Sequence, residues 1–153
     1  MASPNGEAFL IKPDAPEGAA RFPQARLARA GTHRTIYVSG TACVRPSDGT
    51  WPGVTENSDG TRTLDIRQQT AAVLENVDSI IKGATNGKGG VQNLIDAVVY
   101  LTDVPTHYAG MNEEWNKVFA TRASAPARAT IGVKELPDSR MIVEIKGVAV
   151  VES

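Results

Sequence analysis

Residues 126–151 gather the few side chains of this chain that could do chemistry on a small carboxylate. The run Pro126-Ala-Arg128-Ala-Thr130-Ile-Gly132-Val133 is β-rich, breaks at Glu135-Leu-Pro137-Asp-Ser139, and returns as Met141-Ile-Val-Glu144-Ile-Lys146-Gly-Val-Ala-Val-Val151. Side chains two apart in a strand share a face. Arg128, Thr130 and Gly132 therefore form one polar row, and Ala129, Ile131 and Val133 an apolar one. In the return strand Glu144 and Lys146 share a face. A planar guanidinium grips a carboxylate through two parallel hydrogen bonds, and a carboxylate nearby can hold or deprotonate a water. Together these make half of a hydrolytic site. The two runs are expected to pair around the breaker. The same spacing also describes a cross-strand ion pair between Arg128 and Glu144, or charges turned to solvent.

The elements that must position these residues are legible in turn. Residues 1–21 read as an irregular arm with one short strand at Ala8 to Lys12. Ala25 to Ala30 and Thr35 to Ser39 read as a hairpin turning at Gly31 to Arg34. A turn-rich insert over 41–64 carries Arg45-Pro46, Asp48-Gly49, Pro52-Gly53 and Asp59-Gly60, and a loop of that length is either functional or a surface insertion. From Asp65 the residues Ile66, Thr70, Val73, Leu74, Val77, Ile80, Ile81 and Ala84 recur at helical spacing. Leu94 to Thr102 reads as a buried strand. A second helix follows the break at Asp103-Val-Pro105, with Thr106 as N-cap and Tyr108, Met111, Trp115, Val118 and Phe119 as its buried stripe. The order β-β-α-β-α-β-β predicts a layered sheet with both helices on one face.

Composition narrows the function classes. The 153 residues are 41% apolar and 22% charged, and 16 basic against 17 acidic residues leave a net charge of −1. One core over 1–153 is expected, and no basic patch invites a nucleic acid. Cys43, the single cysteine, suits a reducing compartment. Met1 to Glu7 lacks the pattern of a secretory signal, and no apolar run approaches the ~20 residues of a membrane helix. A cytoplasmic protein is the expectation. His33, Cys43 and His107 stand too far apart for a metal-ligand spacing. Gly87-Lys88-Gly89-Gly90 follows a helix where a phosphate loop needs a strand.

Tyr37-Val-Ser-Gly40, Gln69-Thr-Ala-Ala-Val-Leu-Glu-Asn76, Val99-Tyr-Leu-Thr-Asp103, Met111-Asn112-Glu-Glu-Trp115, Pro126-Ala-Arg128 and Val143-Glu144-Ile-Lys-Gly-Val-Ala149 occur in that order. Together they resemble the RidA/YjgF/UK114 family from about Phe22 to Val150. The resemblance implies a chorismate-mutase-like α+β fold, a homotrimer with sites in the clefts between subunits, and hydrolysis of reactive enamines and imines to an oxo acid and ammonia without metal or cofactor. Ser39 to Pro46, the insert, and Glu144-Ile-Lys146 are most similar to the 2-aminomuconate deaminase branch. Position by position, the resemblance makes Arg128 the carboxylate-binding arginine and Glu144 the acid that positions water. Gly40, Thr41 and Asn112 then line the site. Phe22 stands where a tyrosine is common, Thr130 where a cysteine is, and Lys146 where a second glutamate is frequent. A diacid such as 2-aminomuconate needs a second cation, for which Arg45 and Lys146 are the candidates. The other readings are a general 2-imino acid deaminase and a non-catalytic trimeric protein that binds small ligands or acts like a chaperone. An endoribonuclease activity, also attached to some relatives, fits poorly with the missing basic patch.

Overall fold

The computed structural model describes residues 3–9, 13, 14, 16–18, 21, 23, 25–27 and 31–152. Helix α1 spans Ile66–Ala84, and the Asp65 carboxylate caps it by accepting from the backbone N–H groups of Arg67 and Gln68. Its buried face carries Ile66, Thr70, Val73, Leu74, Val77 and Ile81, whereas Ile80, 43% exposed, and Ala84 fall outside the stripe. Helix α2 spans Val104–Val118 and begins three residues earlier than an N-cap at Thr106 would have it. Asp103, in the left-handed region (φ 48°), is the cap, and its carboxylate accepts from both the backbone N–H and the hydroxyl of Thr106. Pro105 lies in the first turn, where its missing N–H costs nothing, so the expected break is a helix start.

Four strands form the main sheet: β3 (His33–Thr41), β6 (Leu94–Leu101), β7 (Ala127–Gly132) and β8 (Val143–Glu152), in the order β3-β8-β6-β7. The β6–β7 pair is parallel and the others antiparallel. The expected pairing of the Arg128 and Glu144 strands is therefore wrong, because β6 lies between them. A parallel neighbour reached through α2 carries no turn signal that would betray it in the sequence. The expected hairpin of 25–30 with 35–39 is also replaced: β2 (Ala25–Leu27) pairs antiparallel with β1 (Glu7–Phe9), and β3 pairs with β8. The insert is more regular than its turn residues suggest, since β4 (Val54–Glu56) and β5 (Arg62–Leu64) close a hairpin over the Asp59-Gly60 turn.

Both helices pack on one side of the sheet. Val38, Ala97, Val99, Leu101, Val143, Ile145 and Ala149 point there and are sealed by Leu74, Met111, Trp115 and Phe119. The other side carries Tyr37 at 75% and Ile131 at 44% exposure. The row of β7 that faces the helices is the polar one, Arg128 and Thr130, while Ala129 and Ile131 of the apolar row are exposed. Alternation fixes which residues share a face but not which face is covered.

The insert is tied into this frame. Asn76 of α1 donates from Nδ2 to the carbonyls of Ala42 and Val44, at 2.8 Å each. The hairpin in turn holds the segment before β8. Arg140 stacks on Trp51 with its guanidinium carbon 3.8 Å from the ring centre, and Arg62 Nη1 donates to Ser139 Oγ at 3.1 Å. Buried Gln69 donates to the Arg140 carbonyl (2.7 Å) and accepts from the Ile142 N–H (3.1 Å). The residues that lead into Glu144 are thus braced from α1 and from the inserted hairpin.

Candidate functional site

Arg128 lies on the helix side of β7, where α2 supplies a set of neutral groups that orient it. Nη1 donates to Asn112 Oδ1 at 3.0 Å and lies 3.7 Å from Met111 Sδ, and Nη2 lies 3.5 Å from the Tyr108 hydroxyl. The guanidinium stacks on the Trp115 ring, 4.8 Å from its centre, and stands 6.0 Å from the centre of the Tyr108 ring. Each of these contacts is to a neutral group, and together they orient the side chain. Burial is the main influence on its ionisation, pushing its pKa down from the usual arginine value, and Tyr108 pulls the other way; the group stays a cation. Arg128, Thr130, Val104 and Tyr108 together line a cavity of about 270 Å³. Thr130 Oγ1 is buried there without a hydrogen-bond partner among the described residues.

Glu144 lies elsewhere. Arg128 registers with Ala97, which is buried under the helices, whereas Glu144 registers with Tyr100 on the opposite face. Two strand spacings also separate them, roughly 10 Å. Within one chain the two residues cannot meet over a small substrate, and neither can they form the cross-strand ion pair. The Glu144 carboxylate instead lies over Gly40, where a Cβ would come within 2.8 Å of Cδ. Gly40 sits in the irregularity of β3 between Val38 and Thr41, whose buried side chain bonds back to the Ser39 carbonyl at 2.8 Å.

The two candidate second cations separate clearly. Lys146, in register with Val98, is exposed on the same open face as Glu144. Arg45 projects from the loop after β3 and pairs with Glu75 of α1 at 3.4 Å. Phe22 lies outside the described residues. The structure thus gathers Arg128, Asn112 and Thr130 in one place and Gly40, Glu144 and Lys146 in another. It adds Tyr108, Trp115 and Val104, which sequence reading had assigned to the core or passed over. Helical spacing puts Tyr108 in line with Met111 and Trp115, and nothing in that spacing distinguishes a core position from the wall of a cavity. No three His, Cys, Asp or Glu side chains among the described residues converge as metal ligands, and no described helix is long and apolar enough to cross a membrane.

Two helices on one face of a mixed sheet, with an oriented arginine between helix and sheet, define a YjgF-type α+β domain. The protein of the Rid family YyfB from Yersinia pestis has this fold, with a TM-score of 0.73 over 95% of this chain and 98% of that one at 19% identity. Escherichia coli TdcF, solved with bound serine, matches at a TM-score of 0.60 and 26% identity over 95% of this chain and 98% of that one. A RutC family protein of Aquifex aeolicus is 34% identical over 85 residues, 56% of this chain and 64% of that protein, just under two thirds of its length. The family model described as Endoribonuclease L-PSP matches residues 13–151. The chain belongs to that family, the RidA/YjgF/UK114 family, as the motifs from Tyr37 to Ala149 had indicated.

Proposed function

We propose that this protein hydrolyses enamines or imines of small carboxylic acids to the oxo acid and ammonia, at sites built by two subunits of a homotrimer. The observation that carries this reading is Arg128, a charge that lines a small cavity and is oriented there by Asn112 and Trp115. A buried guanidinium so presented favours a planar anion that forms two parallel bonds with it. The serine bound by E. coli TdcF is a small carboxylate of the same kind.

The opposite placement of Glu144 supports a composite site. The open sheet face, with Tyr37 and Ile131 exposed, is the surface through which copies would associate. In the assembled site the substrate carboxylate docks on Arg128 of one subunit and a water is held by Glu144 of the next. The enamine tautomerises to its imine, which takes up a proton to become an iminium. Glu144 accepts a proton as the water oxygen bonds to the iminium carbon and returns it to the nitrogen of the carbinolamine. As the C–N bond breaks it takes the proton of the hydroxyl, which becomes the carbonyl of the oxo acid, and passes that proton to the departing ammonia. General acid–base help of this kind is worth about 10²–10⁴-fold.

The finer reading is 2-aminomuconate deamination. Lys146 supports it: two residues from Glu144 on the same face, it would accompany Glu144 into the neighbour's cleft and meet a second carboxylate, a role that Arg45, paired with Glu75, is poorly placed to fill.

The test is ammonia release by the purified protein from 2-aminomuconate and from the imine of a simple amino acid, each beside the Arg128→Ala variant. Release abolished by the substitution supports the reading, and a preference for the diacid supports the branch. Turnover of the mono-acid imine alone makes the protein a general imine deaminase. No release from either compound leaves ligand binding or, in view of the family's description, RNA cleavage to be measured in its place.

A further inference from the structure

Tyr108 has so far been given only the orienting of Arg128, yet it is 38% exposed and shares the cavity with Arg128, Thr130 and Val104. Its hydroxyl lies 3.5 Å from Arg128 Nη2. A guanidinium has donors only, so in that contact the phenol oxygen is the acceptor. The phenol proton must then point away from the arginine, and the open direction is the cavity. Thr130 Oγ1, buried without a partner among the described residues, offers a second O–H from β7. Among the described residues the polar lining is therefore able to present donors alone: N–H groups from Arg128 and one O–H from each of two hydroxyls.

We propose that Tyr108 determines specificity by donating its O–H to the same carboxylate oxygen that Arg128 Nη2 grips, so that the cavity admits free acids and rejects carboxamides. This rests on the reading of Arg128 as the carboxylate site. A carboxylate satisfies every donor in such a cradle. A carboxamide turns an NH₂ toward at least one of them and leaves two donors face to face, a mismatch that binding sites built on hydrogen bonds reject strongly. The requirement falls on the group next to the reacting carbon, so it selects unmodified 2-imino acids over their amides irrespective of the remainder of the substrate. Tyr108 is in this sense a binding residue, and a phenylalanine would keep the ring and remove only the donor.

The experiment is equilibrium titration of the assembled protein with 2-oxobutanoate and with 2-oxobutanamide, for the parent and for Tyr108→Phe, beside their melting temperatures. The parent is expected to bind the acid in clear preference to the amide. Tyr108→Phe is expected to weaken the acid about ten- to a hundredfold, the range for a hydrogen bond to a charged group, with little change in the amide or in Tm. Acid binding within about twofold of the parent, on a tenfold scale of 1.4 kcal/mol, overturns the role of Tyr108 and leaves the Arg128 reading standing. Equal weakening of acid and amide also overturns it, because the phenol would then act through shape. A parent that binds neither compound refutes the Arg128 site, and the role of Tyr108 with it.

Discussion

Replacing Gly40 by alanine asks whether the position of the Glu144 carboxylate matters. A Cβ at residue 40 would stand 2.8 Å from Glu144 Cδ, 2.9 Å from Oε2 and 3.0 Å from Oε1. Ordinary contact begins near 3.4 Å, so the carboxylate must retreat by about 0.6 Å. The obstacle is the far end of a flexible side chain, and the backbone at Gly40 does not have a positive φ. An off-rotamer Glu144 costs about 0.5–1.5 kcal/mol, and the stiffer unfolded chain returns about 0.4–1 kcal/mol. Net stability should change by less than about 1 kcal/mol, a Tm shift within about 4 °C. Catalysis should respond far more, because a misplacement of about 1 Å costs on the order of a hundredfold. Gly40→Ala should lower kcat for imine hydrolysis about ten- to a hundredfold with KM little changed, since the Arg128 cavity is untouched. The assay is steady-state ammonia release on an imine generated in situ, run beside thermal melts. A variant with parental kcat would show that this position of Glu144 is irrelevant to the chemistry, and a Tm lowered by more than about 8 °C would show that Gly40 serves the fold.

Other perturbations separate the remaining roles. Arg128→Ala should abolish carboxylate binding, a loss on the order of several kcal/mol, while the chain still folds; Arg128→Lys should rescue little, because an ammonium cannot make the forked pair. Lys146→Ala should raise KM for a diacid several-fold and leave a mono-acid unchanged, whereas Arg45→Ala should affect neither, and the reverse pattern would restore Arg45 as the second cation. Asp138 accepts from Arg140 Nε (2.9 Å), Nη2 (2.8 Å) and backbone N–H (2.9 Å), contacts that hold its carboxyl well below the usual aspartate range. Because its folded pKa is depressed, the stabilisation is complete above the unfolded value of about 4 and is lost as pH falls from there through the folded value. Asp138→Asn should therefore melt below the parent at pH 7, with the gap closing below about pH 4; a gap independent of pH would refute the clasp.

The parts of the fold written in local periodicity were legible. The apolar stripe of Ile66 to Ile81 starting after Asp65 announced α1, and the run from Leu94 to Leu101 announced β6. Partners distant in sequence were not. The pairing of β1 with β2 joins two three-residue strands distant in sequence, and β7 reaches β6 through a parallel crossover. The start of α2 was misplaced because Pro105 reads as a breaker when it is a first-turn residue. For the site, residue type and period two identified Arg128 with Thr130 and Glu144 with Lys146, and the same period could not say that the two pairs occupy opposite faces. Arg45 looked suitable by charge alone, and only three-dimensional packing brings Glu75 to it. Tyr108 lay within a stripe that helical spacing assigns wholly to the core.

The composite site is tested most directly by complementation. Arg128→Ala and Glu144→Gln should each be nearly inactive in ammonia release, since one removes the carboxylate anchor and the other the base. Co-expressed in equal amounts and purified as mixed oligomers, they should recover about a quarter of parental activity, the fraction of interfaces at which an intact Arg128 of one subunit faces an intact Glu144 of the next. If both residues served one site within the same chain, every chain in the mixture would lack one of them. Activity no greater than that of the separate variants would contradict the account.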